Sequence, residues 1–340
     1  MTALELQTTT WPTIPSYLQS YTWRRAHKDD MPAIYQLMLD IDQTDDKNFA
    51  GTLADQTREF NDPWSPPETD SLVALTPTGQ VAAYARVLIN PEPESAGELR
   101  SFLFADVHPV HRGRGLGDFV LNWMEARAAE RLHASPGDRP RLLRLFCLDS
   151  RVDRITLFER HGFKPIRRSY RMRRDVRRPL PEVMVPAGLT LRTYGADVDE
   201  RTRLALNEAF RDHWGTEPVT AEDWRMFFIE NTGFRPDLSF LIMDGEEVAG
   251  FSVNKVSPEE NAREGIQKGW IGDLGTRRPW RKRGVATALL AASMRAFKEA
   301  GLDYAALGVD TENPTGALRV YERMGFEPYQ RTIIFGKYLP

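Results

Sequence analysis

The sequence has one cysteine, almost no net charge and no long apolar run. Cys147 is the single cysteine among 340 residues, so a disulfide within the chain and a thiolate metal cluster are both excluded. It lies in the apolar run LLRLFCL, which favours a buried structural thiol over a nucleophile. We therefore predict a structural role for this residue and no metal site in the protein.

Charge and hydropathy exclude further classes of protein. A net charge of −3 gives no bulk attraction to nucleic acid, so no nucleic-acid partner is predicted. The sequence has no apolar segment of about 18 residues, which predicts no membrane span. The first stretch, MTALELQTTTWPTIP, has an early acid and lacks the apolar core of a signal peptide. We therefore expect a cytoplasmic protein, as a monomer or a homodimer.

The composition that remains is that of a globular protein with two cores. Apolar residues make up 41% of the chain, and 17 Phe and 8 Trp give ample material for burial. The segments RGRGLGDFVL from Arg112 and RKRGVATALL from Arg281 share the pattern R-x-x-G-x-G/A. FERHGF and YERMGF follow them, at Phe163 and Phe326. The two copies lie 163 to 169 positions apart, and a repeat of this length indicates duplicated domains.

Each half has the same order of elements. A strand and helix are followed by a hairpin, a strand, the glycine loop with a long helix, and then strand, helix and strand. This mixed order predicts an α/β (α+β mixed) fold in layers. The proline-containing stretch VRRPLPEVMVPAGLT is typical of a linker. We predict an N-terminal domain at 1–178, a linker at 179–189 and a C-terminal domain at 190–340.

The glycine loop of the second half combines three features of an anion site. It follows the strand segment GWIGDLGT and begins a helix whose apolar stripe includes Ala286, Leu290 and Met294. Free backbone N–H groups and the helix dipole attract an anion at such a point, and glycine allows close approach. Dinucleotide and Walker loops need other spacings. A diphosphate is the expected ligand.

The loop resembles the acyl-CoA pyrophosphate loop of the GNAT superfamily of N-acetyltransferases. The downstream strand YAALGVD and the block ENPTGALRVYERMGF resemble the second conserved element of that family. The resemblance covers both halves, and it implies two tandem GNAT domains. In each, a mixed sheet flanked by helices splays open between its fourth and fifth strands, where the pantetheine arm pairs with backbone.

The resemblance implies acetyl-CoA as cofactor and assigns residues to its binding. In the second half these residues are Leu274, Gly275 and Thr276 at the gap, Arg281, Lys282, Arg283, Gly284, Val285, Ala286 and Thr287 in the loop, and Asn313 as cap of the next helix with Pro314 at its first position. In the first half they are Val107, Arg112, Gly113, Arg114, Gly115, Leu116 and Gly117.

Tyr321 and Asp273 are the predicted catalytic residues. By its resemblance to the family's tyrosine, Tyr321 is expected to protonate the CoA thiolate, although a core aromatic with a satisfied hydroxyl is the alternative. Family members often carry a Glu early in the fourth strand, where this chain has Trp270. Asp273 is the nearest carboxylate, and burial would raise its pKa toward the range of a base. A hydrogen-bond acceptor at the strand end, or a water relay to a distant carboxylate, stays open.

The remaining predictions concern the substrate-binding residues and the differences between the two halves at the catalytic positions. His213, Trp214 and Glu217 lie in a turn-rich stretch and could line an amine pocket, although packing and capping at Thr220 explain them nearly as well. In the first half Phe158 stands at the place of Tyr321, so that half is expected to be non-catalytic. Arg154 replaces Ala317, and Ser150 replaces Asn313.

These features predict an N-acetyltransferase that moves an acetyl group from acetyl-CoA to a primary amine of a small molecule by direct attack. A non-catalytic acyl-CoA sensor and an acetyltransferase acting on protein lysines or N-termini are the alternatives. Fold alone does not name the acceptor.

Overall fold

The computed structural model describes residues 11–45, 51–62, 64–89, 97–211, 213, 218–313 and 315–340. The chain divides into two compact units. The first consists of Met1–Ile166 together with Ile333–Pro340, and the second of Arg167–Thr332.

The strands follow one another in the order that the sequence predicts. The strands of the described residues are β1 (Thr22–Arg24), β2 (Ser71–Leu75), β3 (Val81–Ile89), β4 (Leu99–Val107), β5 (Arg141–Leu148), β6 (Lys164–Asp175), β7 (Thr190–Thr193), β8 (Phe240–Asp244), β9 (Glu247–Lys255), β10 (Lys268–Thr276), β11 (Tyr304–Asp310) and β12 (Glu327–Tyr338).

The helices of the described residues frame these strands. They are α1 (Met31–Asp45), α2 (Leu53–Phe60), α3 (Pro67–Asp70), α4 (Leu116–Ala134), α5 (Val152–Arg160), α6 (Asp199–Phe210), α7 (Ala221–Trp224), α8 (Pro258–Glu264), α9 (Val285–Glu299) and α10 (Ala317–Arg323). A π-helical turn, Arg225–Ile229, continues α7. None of the described helices is long and apolar enough to cross a bilayer.

The first unit is a mixed sheet in the order β1-β2-β3-β4-β5, closed by the end of β12. The sheet is antiparallel from β1 to β4, whereas β5 runs parallel to β4. Helix α4 is buried along one side through Phe119, Trp123 and Met124. Phe335, from the end of β12, lies in the same core and contacts Phe158 edge to face at 5.5 Å.

The second unit repeats this arrangement in the order β7-β8-β9-β10-β11, and the residues of β6 from Ser169 to Asp175 complete it beside β11. Strands β8 and β9 form the predicted hairpin, and β10 and β11 run parallel. Helix α9 packs on one face through Leu290, Met294 and Phe297. Helices α6 and α7 cover the other face, where Phe251 and Val253 of β9 point.

The sheet of the second unit opens between its fourth and fifth strands, as predicted. The pairing of β10 with β11 runs only from Lys268 to Ile271, opposite Tyr304 to Leu307. Beyond Ile271 the edges of the two strands separate, because β10 continues to pair with β9 only. The first unit opens in the same way, since the pairing of β4 with β5 ends at Phe102.

The last strand of each half crosses from one compact unit into the other, so the compact units differ from the predicted domains. β6 begins in the first unit and pairs with β11 in the second, and β12 begins in the second unit and ends in the core of the first. The domain limits 1–178 and 190–340 describe the duplicated halves and stay a prediction, whereas each compact unit takes its closing strand from the other half.

Candidate active site

The glycine loop of the second unit leaves a row of peptide N–H groups unused. After a 3-10 turn at Arg278–Trp280, the chain enters α9 through Gly284, which is left-handed with φ 89°. The first N–H that bonds back is that of Ala288, which donates to the Gly284 carbonyl. In the described chain, the N–H groups of residues 282–287 donate to no protein acceptor. The loop therefore has the unsatisfied donors that an anion needs.

Lys282 is held in the loop at a conformational cost. Its φ of 62° is positive, and among the described residues it is the one non-glycine residue for which this is so. At the same step of the first-unit loop the residue is Gly113, with φ 73°. A left-handed residue with a side chain costs about 1–2 kcal/mol. Lys282 and Arg283 are exposed and pair with no described carboxylate, so both charges are available to a ligand.

Arg281 does not behave as the sequence suggested. Its guanidinium turns back into the protein, where Nε donates to the Thr276 carbonyl at 3.2 Å and Nη2 donates to the Ala209 carbonyl at 2.9 Å. These two bonds tie the loop to the end of β10 and to the end of α6. The side chain therefore shapes the loop, and the free charges of the predicted trio come from the two residues that follow.

The free edge of β10 supplies the groups predicted to line the gap. Leu274 packs toward α9, whereas a Cβ on Gly275 would lie 2.2 Å from Cζ of Phe251, so only glycine fits there. The Thr276 carbonyl is already used by Arg281. The buried Thr276 hydroxyl, in contrast, has no hydrogen-bond partner among the residues that the structure describes. An orphaned buried hydroxyl at the mouth of the gap is a place for a ligand atom.

Tyr321 lies on α10 with its ring buried and its hydroxyl free. The side chain is 8% exposed, and the ring meets Phe326 edge to face at 6.2 Å. No described group forms a hydrogen bond with the hydroxyl. Burial, and secondarily the charge of Asp273, raise the pKa of Tyr321 to about 12. The hydroxyl is therefore protonated at neutral pH and able to donate, and the alternative of a hydroxyl satisfied elsewhere is not what the structure has.

Asp273 reaches the site because β10 carries a bulge. The register against β9 shifts between Ile271 and Asp273, which leaves Gly272 as the extra residue. Asp273 then pairs with Val253 and shares its face, the one covered by α6 and α7. Removal from water raises the pKa of Asp273, and the charge of Asp273 contributes to the raised pKa of Tyr321.

Lys255 is a polar residue of this face that the motif analysis missed. It stands opposite Trp270 in the register, and its Cε is 3.6 Å from the position of a Cβ on Gly272. Its charge lowers the pKa of Asp273, against the effect of burial. The sequence held a signal: in EVAGFSVNK the lysine falls two residues after Val253, at a position that period-two alternation turns inward.

The predicted substrate residues are only partly placed. His213 follows α6, with its backbone N–H bonded to the Phe210 carbonyl at 2.8 Å and its ring edge to face with Phe210 at 5.6 Å. Phe210 in turn contacts Phe251, the ring beside Gly275. Trp214 and Glu217 lie outside the described residues. Thr220 caps α7 by accepting from the Asp223 N–H at 3.1 Å, as its sequence suggests.

The prediction that Asn313 caps the next helix is wrong. Helix α10 begins at Ala317 behind the left-handed Gly316. The Asn313 carboxamide oxygen instead accepts from Thr315, from its N–H at 2.9 Å and its hydroxyl at 2.7 Å. The asparagine thus closes a local turn, because its short side chain competes with the helix for backbone donors. Pro314, which the sequence placed at the first helical position, is outside the described residues.

In the first unit a side chain fills the equivalent gap. Arg154 donates to the carbonyl of Ala105 at 2.8 Å and to the buried carboxylate of Asp106 at 3.0 Å, both on the free edge of β4. The cavity that remains has a volume of about 10 Å³, which holds about one water molecule. Phe158, with no hydroxyl, stands at the tyrosine position. Cys147 lines the same gap, and burial raises the pKa of its thiol to about 11, so it is a structural thiol.

The glycine loop of the first unit has the same backbone conformation as that of the second unit, but its neighbouring side chains differ. Gly113 and Gly115 are left-handed, Arg114 is exposed, and α4 starts at Leu116, followed by Gly117. Arg112 donates through Nε to the Val107 carbonyl at 3.3 Å, as Arg281 does to Thr276, and also pairs with Asp45. The ring of Tyr17 lies against Gly115, at 2.7 Å from where a Cβ would stand.

Three features together define an acyl-transfer fold of the GCN5-related type. They are a mixed sheet that opens after its fourth strand, a loop with unused peptide N–H groups at the start of the next helix, and a tyrosine hydroxyl with no described partner. The comparison of sequences agrees with this class. Residues 31–163 and 200–326 both match the profile described as the Acetyltransferase (GNAT) family, and the chain belongs to this family. It is an acyltransferase, with two GNAT regions in tandem.

Its relatives include named enzymes. It is 28% identical over 274 residues to mycothiol acetyltransferase of Saccharopolyspora erythraea, which spans 80% of this chain and 86% of that enzyme. It is 32% identical over 250 residues to the enzyme of the same name from Thermobispora bispora, covering 73% and 77%. These relatives support acetyl transfer as the reaction.

Solved structures share the fold over nearly the whole length. A GCN5-related N-acetyltransferase from Sphaerobacter thermophilus superposes with a TM-score of 0.73 at 27% identity, covering 96% of this chain and 97% of the other. A tandem GNAT protein from the clavulanic acid biosynthesis pathway superposes with a TM-score of 0.69 at 18% identity, covering 94% and 98%. The second likeness concerns the fold alone.

Proposed function

We propose that the protein transfers the acetyl group of acetyl-CoA to a primary amine of a small molecule, and that it does so in the second unit. The observation that carries this proposal is the presence of three sets of unused hydrogen-bonding groups in that unit. Within the described residues, the N–H groups of residues 282–287, the Thr276 hydroxyl and the Tyr321 hydroxyl have no hydrogen-bond partner, although the last two are largely buried.

The residues present fit coenzyme A. The N–H groups of the loop, with Lys282 and Arg283, would hold its pyrophosphate at the positive end of α9. The free edge of β10 at Leu274 and Gly275, with the Thr276 hydroxyl, would hold its pantetheine arm. Acetyl-CoA supplies the thioester whose acetyl group is transferred.

Two proton transfers fall to residues of this chain. As the amine nitrogen bonds to the acetyl carbon, Asp273 would take the proton that the nitrogen loses. As the carbon–sulfur bond breaks, Tyr321 would give its hydroxyl proton to the departing sulfur. The raised pKa of Asp273 makes its carboxylate a stronger base, and Tyr321, with a pKa of about 12, has its hydroxyl proton in place at neutral pH. Each transfer typically contributes about 10²–10⁴-fold to the rate.

The first unit would contribute no chemistry. Arg154 occupies the carbonyl and carboxylate that an incoming arm would meet, and Phe158 has no proton to give. A chain with one working site is therefore expected to bind one equivalent of coenzyme A.

The test is thiol release from acetyl-CoA in the presence of a panel of primary amines. The panel includes amino sugars, amino acids, polyamines and a lysine-containing peptide. Because the relatives carry the name mycothiol acetyltransferase, the amine precursor of mycothiol belongs in it as well. Release that depends on a small amine, with mass spectrometry of its N-acetyl product, is the expected result. Tight binding of acetyl-CoA without release for any amine would identify a sensor and refute the proposal.

A further inference from the structure

A lone lysine lies on the face of β10 that carries Asp273. Lys255 and Val253 point to the same side of β9, because side chains two apart on a strand share a face. In the register, Val253 stands opposite Asp273 and Lys255 stands opposite Trp270. A Cβ built on Gly272 would lie 3.6 Å from Lys255 Cε and 3.8 Å from Trp270 Cδ1. The lysine stem therefore crosses the bulge, directly beside the predicted base.

The ammonium of Lys255 interacts with the charge of Asp273 but forms no hydrogen bond with a described group. In the part of the chain that the structure describes, its nitrogen makes no hydrogen bond and no ion pair, and its recorded contact is with the Phe228 ring, 5.6 Å from the centroid. Phe228 belongs to the π-helical turn after α7, on the same side of the sheet. A half-buried cation that rests on an aromatic ring and has three unused donors is unusual, because most such groups are paired.

A second cation adds to the charge of this face. The Arg171 guanidinium, from β6, lies 5.2 Å from the centroid of the Trp270 ring. Trp270 thus lies beside two positively charged side chains, on the face that carries Lys255.

We propose that Lys255 determines acceptor specificity by binding an anionic group, a carboxylate or a phosphate, on the amine that is acetylated. This inference rests on the proposed function and names its substrate class. The Lys255 stem crosses Gly272, the residue next to Asp273, so the anion and the amine of the acceptor would occupy neighbouring positions on one face of β10. The acceptor is therefore compact, with only a few bonds between its amine and its anion.

Charge complementarity supports this arrangement. The anion would satisfy the unused donors of Lys255, and a charge-assisted hydrogen bond of that kind is stronger than a neutral one. The amine end would then lie toward Asp273, which removes its proton. A cationic acceptor without an anion, such as a polyamine, would instead face the repulsion of Lys255.

A purely structural role for Lys255 makes a different prediction. If the side chain only covers Gly272 and holds Asp273 in place, its loss lowers kcat for every amine alike. If it binds the acceptor, its loss raises KM for anionic acceptors and leaves the KM of neutral amines unchanged. Matched acceptors separate the two: an amino acid against its amide, and an amino sugar phosphate against the free amino sugar.

The experiment compares wild type, Lys255→Met and Lys255→Arg on these matched pairs. Lys298→Met is the control, since Lys298 lies near the exposed end of α9, where it donates to the Arg177 carbonyl at 3.3 Å. We expect wild type to prefer one anionic member of a pair, Lys255→Met to raise its KM roughly tenfold to hundredfold, and Lys255→Arg to recover most of the loss. The pair that shows the preference tells a carboxylate from a phosphate. Unchanged affinity for acetyl-CoA and an unchanged melting temperature establish that each variant is folded.

Failure of the inference is distinct from failure of the proposed function. Acetylation of amines without preference for an anionic partner, or an equal loss for both members of each pair in Lys255→Met, overturns the inference and leaves the function standing. Absence of acetylation for every amine overturns the function. Calorimetric binding of the same pairs to the coenzyme A complex then decides the role of Lys255 without turnover, because the preference and its loss must appear in Kd.

Discussion

Replacing Tyr321 by Phe removes one hydroxyl and leaves its ring in the core. The ring is 8% exposed and packs against Phe326, and Phe fills the same volume. Among the described residues the hydroxyl has no hydrogen-bond partner, so its loss leaves none of their groups unsatisfied. We therefore expect the free energy of unfolding to change by less than about 1 kcal/mol. In contrast, the loss of a general acid should lower kcat by about 10²–10⁴-fold, or about 3–5 kcal/mol of transition-state stabilisation.

The assay is continuous thiol release at saturating acetyl-CoA and acceptor, with thermal unfolding of the same preparations. Tyr304→Phe is the matched control. It deletes a hydroxyl of the same unit at the start of β11, where the group is 3.4 Å from Arg177 Nη2. Its turnover should equal that of wild type. The pH profile adds a second test: because the pKa of Tyr321 is about 12, wild-type kcat should not fall with deprotonation of this group below pH 10.

Two results would refute the reasoning. If Tyr321→Phe kept most of its turnover, the proton would come from elsewhere and the free hydroxyl would be incidental. If turnover and melting temperature fell together, the tyrosine would be a packing residue, and the absence of a protein partner for its hydroxyl would have misled us.

Three further predictions concern the loop, the base and the first unit. Asp273→Asn should lower kcat by about 10²-fold or more and raise the melting temperature. Burial raises the pKa of this carboxyl above its unfolded value, so wild-type stability falls as pH rises through the folded pKa, and differential scanning calorimetry against pH should show that decline flattened in the variant. Lys282→Gly should raise KM for acetyl-CoA several-fold without loss of stability, because the left-handed φ of 62° suits glycine, whereas Gly113→Lys should cost about 1–2 kcal/mol in chemical denaturation. Calorimetric titration with coenzyme A should give one equivalent per chain in wild type and a second in the double variant Arg154→Ala with Asp106→Asn, and two equivalents in wild type would contradict the closed gap.

Local sequence patterns predicted the fold and the loop because each depends on short-range chemistry. The strand, glycine turn and apolar stripe around Gly284 fix a helix start whatever lies nearby, and α9 begins where the pattern places it. The opening between β10 and β11 followed from the family resemblance. The pKa of Asp273 moved in the expected direction, because a carboxyl on an inward strand face loses water.

The parts that failed depend on side chains meeting across long sequence distances. Arg281 was expected to face a phosphate, but the carbonyls of Thr276 and Ala209 lie within its reach and take its donors. Asn313 and Gly316 both suit a helix start, and the sequence does not show which of them the tertiary structure selects. The bulge at Gly272 turns Asp273 toward α6. It depends on the register between β10 and β9, which the sequence of one strand alone does not predict.

Strands β6 and β12 each begin in one unit and end in the other, and this has a consequence for the synthesis of the chain and for truncated fragments. The second unit is one continuous stretch of chain, Arg167–Thr332, but the first lacks Phe335 until residues 333–340 have been synthesised. During translation the second unit can therefore complete its core first, although it is encoded later, while the first waits with part of its interior uncovered. A truncation near residue 178 would remove residues 333–340 from the first unit permanently. If such a fragment failed to fold, the cause would be the missing strand, and the result would say nothing about whether the first unit is catalytic.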